Sequence, residues 1–280
     1  MVVALLNYQR KGIIKKKIFE MKKLLLFIIL AFTLQSCEDK KQKTIEKKEP
    51  QKITETKPAS EDDDITSFCN FAVITDKDGY VNVREKESAD SKIIGKIKSG
   101  GAVFIFEDLD TDWLNISFDD NKKSGYIHRS RIKYIKDFEK IASVDSHDYK
   151  AIFHLNNIDI DIQTDDFDYE SNKKYFSETA KEDFTIKKYK GREMWGTDGT
   201  IPQSYYQFIT VKIGNQEIEI PKKDIEDLFN PNNDYTECYY DKVNNSIYIH
   251  LSNSDGSGSY VALFKIENGV YKGRQVEIPF

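Results

Sequence analysis

The chain has 280 residues, of which 39% are hydrophobic and 32% are charged, and this composition excludes a polytopic membrane protein, a collagen-like chain and a wholly disordered one. Seven of its 42 basic residues but only one of its 47 acidic residues precede Cys37, so the remainder of the chain carries a net charge of −11. An acidic body lacks the basic face that attracts phosphates, so we expect no nucleic acid among its partners.

Residues 1–36 have the pattern of an export signal. Met21 and two lysines form a short basic start, and an apolar run follows from Leu24 to Leu34. This run is about half the roughly 20 residues that a membrane-spanning helix needs, which indicates a signal peptide. Residues 1–20 are either a long basic extension or the result of a wrongly chosen start, with Met21 as the true one.

The signal ends in Leu34-Gln35-Ser36-Cys37, which resembles a bacterial lipobox. The alternative is an ordinary secretory signal or an N-terminal anchor with a chance cysteine. The resemblance implies that Cys37 is lipidated after cleavage, and more than one acyl chain anchors a protein stably in a membrane. We therefore expect a membrane-anchored lipoprotein of the cell envelope, facing the periplasm or the cell surface.

Residues 37–64 comprise the candidate lipidated cysteine and a predicted tether. The tether is rich in lysine, glutamate, aspartate, threonine and glutamine, contains Pro50 and Pro58, and has almost no apolar residues. Such a composition buries too little surface to offset the entropy of ordering. The tether is therefore predicted to be flexible, with a span on the order of 30 Å.

Residues 65–138 predict a small β-barrel. Short apolar or alternating segments are separated by turns that contain glycine, aspartate or serine. Five or six short strands within about 65 residues favour a barrel, because closing the sheet removes its edges. The predicted strands are Phe71–Thr75, Tyr80–Arg84, Ile93–Ile97, Ala102–Phe106, Trp113–Phe118 and Gly125–His128.

The order and spacing of five sequence pieces in residues ~68–135 resemble the bacterial SH3-like (SH3b) domain family. The pieces are Val81–Arg84, Ser91–Gly95, Gly100, Trp113–Ile116 and Gly125–Ile132. The resemblance implies a non-catalytic module, of a kind often found with cell-wall hydrolases or envelope proteins and often binding peptidoglycan or peptides. Family members commonly have Gly-Pro where this chain has Glu85–Ser88, so the resemblance does not carry a ligand across.

Four residues of the predicted barrel are candidates for binding a ligand: Tyr80, Asn82, Trp113 and Tyr126. The aromatic rings could stack on sugar or peptide faces while their polar atoms form hydrogen bonds. The alternative is structural, because aromatic side chains dominate small cores and Asn82 could brace a loop.

Residues 146–280 predict a second β-rich domain, an antiparallel meander or sandwich, so the fold class is mainly all-β. Asn156-Asn157 and Gly214-Asn215 are hairpin signals. Pro221–Phe229 predicts a short helix with Pro at its start. Four further strands are predicted at Tyr235–Tyr240, Ser246–Leu251, Tyr260–Ile266 and Val270–Ile278.

Turns of this second region provide three weaker candidates for ligand contact: Trp195, Asp198 and Asp255. Trp195 could instead cap the core. Asn253–Ser259 has the oxygen pattern of the front of a calcium loop, but Phe264 stands where a bidentate glutamate is required. We therefore expect no metal, and no motif indicates a cofactor.

Enzyme motifs are mostly missing from the sequence. Cys238 could act as a nucleophile with His250 or His154 as its base, but it lies within a predicted strand and not at a helix N-terminus that would lower its pKa. Cys69 and Cys238 either pair as a disulfide or remain free thiols.

These patterns predict a non-enzymatic, lipid-anchored envelope protein that binds peptidoglycan or a wall-associated peptide through its barrel. One alternative is an adaptor or inhibitor that binds an envelope protein through residues 146–280. The other is a cysteine-dependent cell-wall hydrolase.

Overall fold

The computed structural model describes residues 70–108, 110–119, 122–179 and 186–279. These residues all belong to one compact unit. The predicted signal peptide, Cys37, the tether and Cys69 lie outside the described residues.

Seven antiparallel strands curl into a small barrel at the N-terminal end of the described chain. They are β1 (Phe71–Ile74), β2 (Tyr80–Arg84), β3 (Ile93–Lys98), β4 (Ala102–Ile105), β5 (Trp113–Phe118), β6 (Lys123–His128) and β7 (Ile132–Tyr134), in the order β3-β2-β6-β5-β4-β1-β7. Side chains alternate across each strand, so one side of every strand fills the barrel interior. Val83, Ile105, Ile116 and Ile127 are completely buried there.

A second sheet of nine antiparallel strands wraps around its own core. It comprises β8 (Glu139–His147), β9 (Lys150–Leu155), β10 (Ile158–Asp166), β14 (Ser204–Ile213), β15 (Gln216–Glu219), β16 (Thr236–Asp241), β17 (Ser246–Asn253), β18 (Tyr260–Glu267) and β19 (Val270–Glu277). The strand order is β15-β14-β10-β9-β8-β16-β17-β18-β19. Both predicted hairpins are confirmed, and Glu139–His147 belongs to this sheet although the sequence division leaves residues 139–145 between the two regions.

An insertion between β10 and β14 holds the α-helix α1 (Tyr169–Asn172) and a three-stranded sheet of β11 (Phe176–Thr179), β12 (Ile186–Tyr189) and β13 (Arg192–Glu193). The predicted helix at Pro221–Phe229 is wrong, because only Lys222–Asp224 forms a 3₁₀ turn there. The backbone N–H of Trp195 donates to Asp227 O, and the Phe229 N–H donates to Trp195 O. These bonds hold the end of the segment extended against a neighbouring loop.

The barrel packs against the outer face of the nine-stranded sheet through a shared apolar layer. The barrel and the segment that follows it contribute Phe71, Phe104 and Phe138 to this layer, and the sheet contributes Tyr248 and Leu263. β1 and most of β17 are therefore buried on both faces. Polar contacts complete the junction: Ser117 Oγ donates to Glu277 Oε1 at 2.7 Å, and Lys265 Nζ donates to Gly100 O at 3.0 Å.

The mainly all-β prediction is confirmed. The barrel and the nine-stranded sheet have separate cores, and the apolar layer between them joins the two.

Candidate functional site

A groove of about 310 Å³ runs along the outer face of β2. We call it the β2 groove. Its walls come from β2 itself, the turn before β2, the loop after it, and residues near the ends of β5 and β6. The lining residues are Asp76, Asp78, Tyr80, Val81, Asn82, Arg84, Ala89, Trp113, His128, Ser130 and Arg131.

Alternation along β2 places its polar side chains in the groove. Val81 and Val83 are buried in the barrel, so Tyr80, Asn82 and Arg84 lie on the opposite face. Tyr80 is 40% exposed, and the ammonium group of Lys96 lies 4.3 Å from the centre of its ring.

The opposite wall contains a cross-strand pair of rings. Trp113 of β5 is paired with His128 of β6, and the two rings meet edge to face with centres 5.5 Å apart. His128 Nδ1 lies 2.9 Å from Ser130 Oγ and accepts a hydrogen bond from the Ser130 backbone N–H. These contacts fix the orientation of the imidazole and hold the indole beside it.

One end of the β2 groove is closed by an ion pair between residues 55 positions apart. Arg131 Nη1 donates to Asp76 Oδ2 at 2.7 Å, and the backbone N–H of Asp78 donates to Asp76 Oδ1 at 2.8 Å. The Asp76 side chain is only 5% exposed. The hydrogen bond from the Asp78 backbone, together with the charge of Arg131, lowers the pKa of Asp76, which keeps this carboxylate ionised.

The other end is shaped by the loop after β2. Arg84 Nη1 donates to Ser91 O at 2.7 Å, and the Lys86 N–H donates to Ser91 Oγ at 2.9 Å. The Glu85 N–H donates to Lys92 O, which ties the two ends of the loop together. The loop is thereby held in place, and Ala89 contributes to the groove wall.

Asn82, in the middle of β2, has an unused hydrogen-bonding atom. Its oxygen Oδ1 is buried, and no group in the described part of the chain donates a hydrogen bond to it. A buried acceptor without a partner is costly, and such atoms in native proteins call for an explanation. Asn82 lines the groove, and its amide oxygen has no donor among the described residues.

A comparison with known protein families bears on this barrel. Residues 79–133 match the family model of the bacterial SH3 domain. The match runs from the turn before β2 into β7, and it confirms the resemblance found in the sequence. The chain contains a bacterial SH3 domain, a class of binding module typical of extracellular and envelope-associated proteins. No curated protein and no solved structure matches the chain.

Three of the four candidates predicted in this SH3 domain line the β2 groove: Tyr80, Asn82 and Trp113. The fourth, Tyr126, is half-buried on β6 beside Arg84 and does not line the groove. The sequence did not identify Asp76 and Asp78 as groove residues, because in the sequence they indicate only a turn before Gly79. It is the closure of the barrel that brings Arg131 next to Asp76.

The weaker candidates outside the SH3 domain lie in two loops that contact each other. Ser254 Oγ donates to Gly196 O at 2.9 Å, which joins the turn after Trp195 to the turn before β18. Trp195 is half-buried and packs against the core of the nine-stranded sheet, while Asp198 and Asp255 are exposed. Within the described ranges, no three His, Cys, Asp or Glu residues are grouped to hold a metal ion.

The structure separates Cys238 from both histidines considered as its base. Cys238 is fully buried in the interior of the nine-stranded sheet, where burial raises the pKa of its thiol well above the ordinary value. His250 faces the opposite side of the sheet, with its ring against Phe71 of the barrel. His154 is half exposed and lies 2.7 Å from Asp159. The structure therefore contradicts a catalytic pair of Cys238 with either histidine.

The lipid anchor at Cys37 remains a prediction. Cys37 and the tether lie outside the described residues, as does Cys69, the predicted alternative partner of Cys238. Across residues 70–279, as far as they are described, no helix combines the length and hydrophobicity of a membrane span.

Proposed function

We infer that the chain is an exported, lipid-anchored envelope protein whose SH3 domain binds peptidoglycan or a wall-associated peptide through the β2 groove. The domains we assign are a signal peptide (1–36), a lipidated cysteine with its tether (37–64), the barrel (65–138) and a β-rich domain (146–280). The protein acts as a binding module and not as an enzyme.

The observation that carries this proposal is the composition of the β2 groove. Trp113 and Tyr80 offer ring surface, and Asn82, Arg84 and His128 offer hydrogen-bonding groups from the same concave face. Binding sites for small ligands combine apolar or aromatic walls with a few placed polar groups. A groove of this size, on a domain class found in envelope proteins, suits a short segment of wall polymer.

The anchor follows from the sequence at Cys37. Two or more acyl chains on this cysteine would hold the protein on a membrane, and the tether would let the SH3 domain reach material roughly 30 Å away. This arrangement is suited to a protein that connects a membrane to the wall.

The test is co-sedimentation of the purified full-length protein with protein-stripped cell-wall sacculi. We expect the protein to pellet with sacculi and Trp113→Ala to weaken retention about thirtyfold, as expected when an aromatic anchor worth about 2 kcal/mol is truncated. Trp195→Phe is the matched control, because the other tryptophan packs against the second core, away from the groove.

Three results would contradict the proposal: no retention on sacculi, retention that needs an added protein partner, or equal retention of Trp113→Ala and Trp195→Phe. The second would favour the adaptor alternative through residues 146–280. For the anchor, membrane fractionation should find Cys37→Ser in the soluble fraction, and mass spectrometry should show acyl chains only on the native cysteine.

A further inference from the structure

Four charged side chains line the β2 groove, and two of them neutralise each other. Asp76 and Arg131 form the 2.7 Å ion pair at one end. The other two, Asp78 and Arg84, have no ion-pair partner within 4 Å among the described residues. The groove therefore presents one free negative and one free positive charge to a ligand.

These two charges lie at opposite ends of the β2 groove. Asp78 is in the turn before β2, and Arg84 is the last residue of the strand. The four residue steps from Tyr80 to Arg84 alone cover on the order of 13 Å in a β-strand. A ligand that meets both charges must be extended and must carry opposite charges at its two ends.

Arg84 keeps donors available for such a ligand. Only Nη1 is committed, to the carbonyl oxygen of Ser91 at 2.7 Å, whereas a guanidinium group has five N–H donors. The hydrogen bond to the loop fixes the plane of the guanidinium, which favours recognition of a carboxylate by two parallel hydrogen bonds.

Asn82 lies between the two charges on the same face of β2. Its buried Oδ1 has no donor in the described part of the chain. The last side-chain torsion of asparagine is broad, so rotation can turn this oxygen toward the groove. A peptide N–H from the middle of a ligand would then supply the missing donor.

We propose that the β2 groove binds a short zwitterionic peptide in an extended conformation. Its amino group lies at Asp78, its carboxylate lies at Arg84, and a backbone N–H donates to Asn82. This inference rests on the proposed function and narrows its ligand from wall material in general to a peptide with both charges. A neutral glycan offers hydroxyl groups but no charges to match the two ends of the groove.

The test is titration calorimetry of the full-length protein with tetra-alanine, N-acetyl-tetra-alanine and tetra-alanine amide. An extended tetrapeptide is about 13 Å long, which is about the length that β2 covers from Tyr80 to Arg84. Each blocked peptide removes one terminal charge and leaves the rest unchanged. We expect either block to weaken binding about three- to tenfold at low salt, and added salt to reduce the difference.

Variants of Asp78 and Arg84 test which end of the peptide each of these residues binds. Asp78→Asn should abolish the preference for a free amine and leave the preference for a free carboxylate. Arg84→Gln should do the reverse, and Arg84→Lys should restore most of the carboxylate preference because it keeps the charge. Asp145→Asn and Lys212→Gln remove exposed charges elsewhere and should change neither preference.

The outcomes separate this inference from the proposed function. Equal binding of the three peptides, with sacculi still retained, overturns the zwitterionic ligand and leaves the wall-binding groove. Retention on sacculi without binding of any peptide overturns the peptide class and favours the glycan. Loss of both overturns the inference and the proposed function together.

Discussion

Phe104 and Ile105 are adjacent on β4 and enter different cores. Phe104 faces the nine-stranded sheet, with its ring centre 5.2 Å from that of Phe71, while Ile105 faces the barrel interior. Both side chains are 0% exposed. This pair tests whether the SH3 domain and the nine-stranded sheet fold as one cooperative unit.

Phe104→Ala removes a completely buried ring from the layer between the barrel and the sheet. The loss of transfer free energy, together with the cavity left behind, should cost about 3–5 kcal/mol. Ile105→Ala should cost about 2–5 kcal/mol through the barrel core. Ile94→Ala is the control: its side chain is 43% exposed on β3, so we expect about 0.5 kcal/mol or less.

The two tryptophans make the measurement specific to each part of the molecule. Trp113 lies in the barrel and Trp195 packs against the core of the nine-stranded sheet. Urea unfolding is followed by fluorescence in two backgrounds, Trp195→Phe and Trp113→Phe. We expect both backgrounds to show one transition with the same midpoint, and Phe104→Ala to lower the free energy of unfolding equally in both.

The reasoning would be refuted by two transitions with separate midpoints in the parent backgrounds. It would also be refuted if Phe104→Ala lowered the stability reported by Trp113 and left that reported by Trp195 unchanged. Either result would mean that the apolar layer does not couple the two cores. Coupling predicts that a barrel fragment alone exposes Phe71, Phe104 and Phe138 to water and associates or precipitates.

Three further substitutions, one of them with a matched control, test other parts of the fold by urea unfolding. Burial lowers the pKa of His250 from 6.5 to about 4, so the unfolded chain binds its proton first as the pH falls and stability is lost between these two values. The native protein should therefore lose about 3 kcal/mol more than His250→Leu between pH 6.5 and pH 4, and parallel pH profiles would contradict this. Gly196 has φ +89° and lies under the carbonyl of Phe229, so Gly196→Ala should cost about 2–4 kcal/mol. Gly79→Ala, at φ +80° in open space, should cost only about 1 kcal/mol, and equal losses would show that the contact is unimportant. Asp227 accepts two hydrogen bonds from Arg274 at 2.7 and 2.6 Å, so Asp227→Asn should cost about 3 kcal/mol by removing the carboxylate charge that lies beside this buried guanidinium; a loss below 1 kcal/mol would argue against this.

Most of the predicted strands follow from the alternation of side chains and from the turn residues that flank each strand. Alternating side chains define β2, and the turns at Asn156 and Gly214 adopt the positive φ values that asparagine and glycine tolerate. These signals depend only on neighbouring residues. For the same reason, the sequence placed Tyr80, Asn82 and Trp113 together within one small barrel.

The failures lie where distant residues decide the local structure. Pro221–Phe229 has a helical pattern of apolar residues, but its backbone bonds to Trp195 hold its end extended. The three-stranded sheet of β11, β12 and β13 was not predicted, because its segments lie in a charged, polar stretch with little alternation.

By itself the sequence determined an all-β chain with a bacterial SH3 domain, because strand periodicity, turn residues and motif spacing are local properties. Tertiary structure alone decided that β1 and β17 are covered on both faces, since an apolar run does not say what packs against it. Tertiary structure also set the charges of the groove. Arg131 neutralises Asp76 across 55 residues, and Asp78 and Arg84 remain as the two charges at the groove ends that have no ion-pair partner in the described part of the chain.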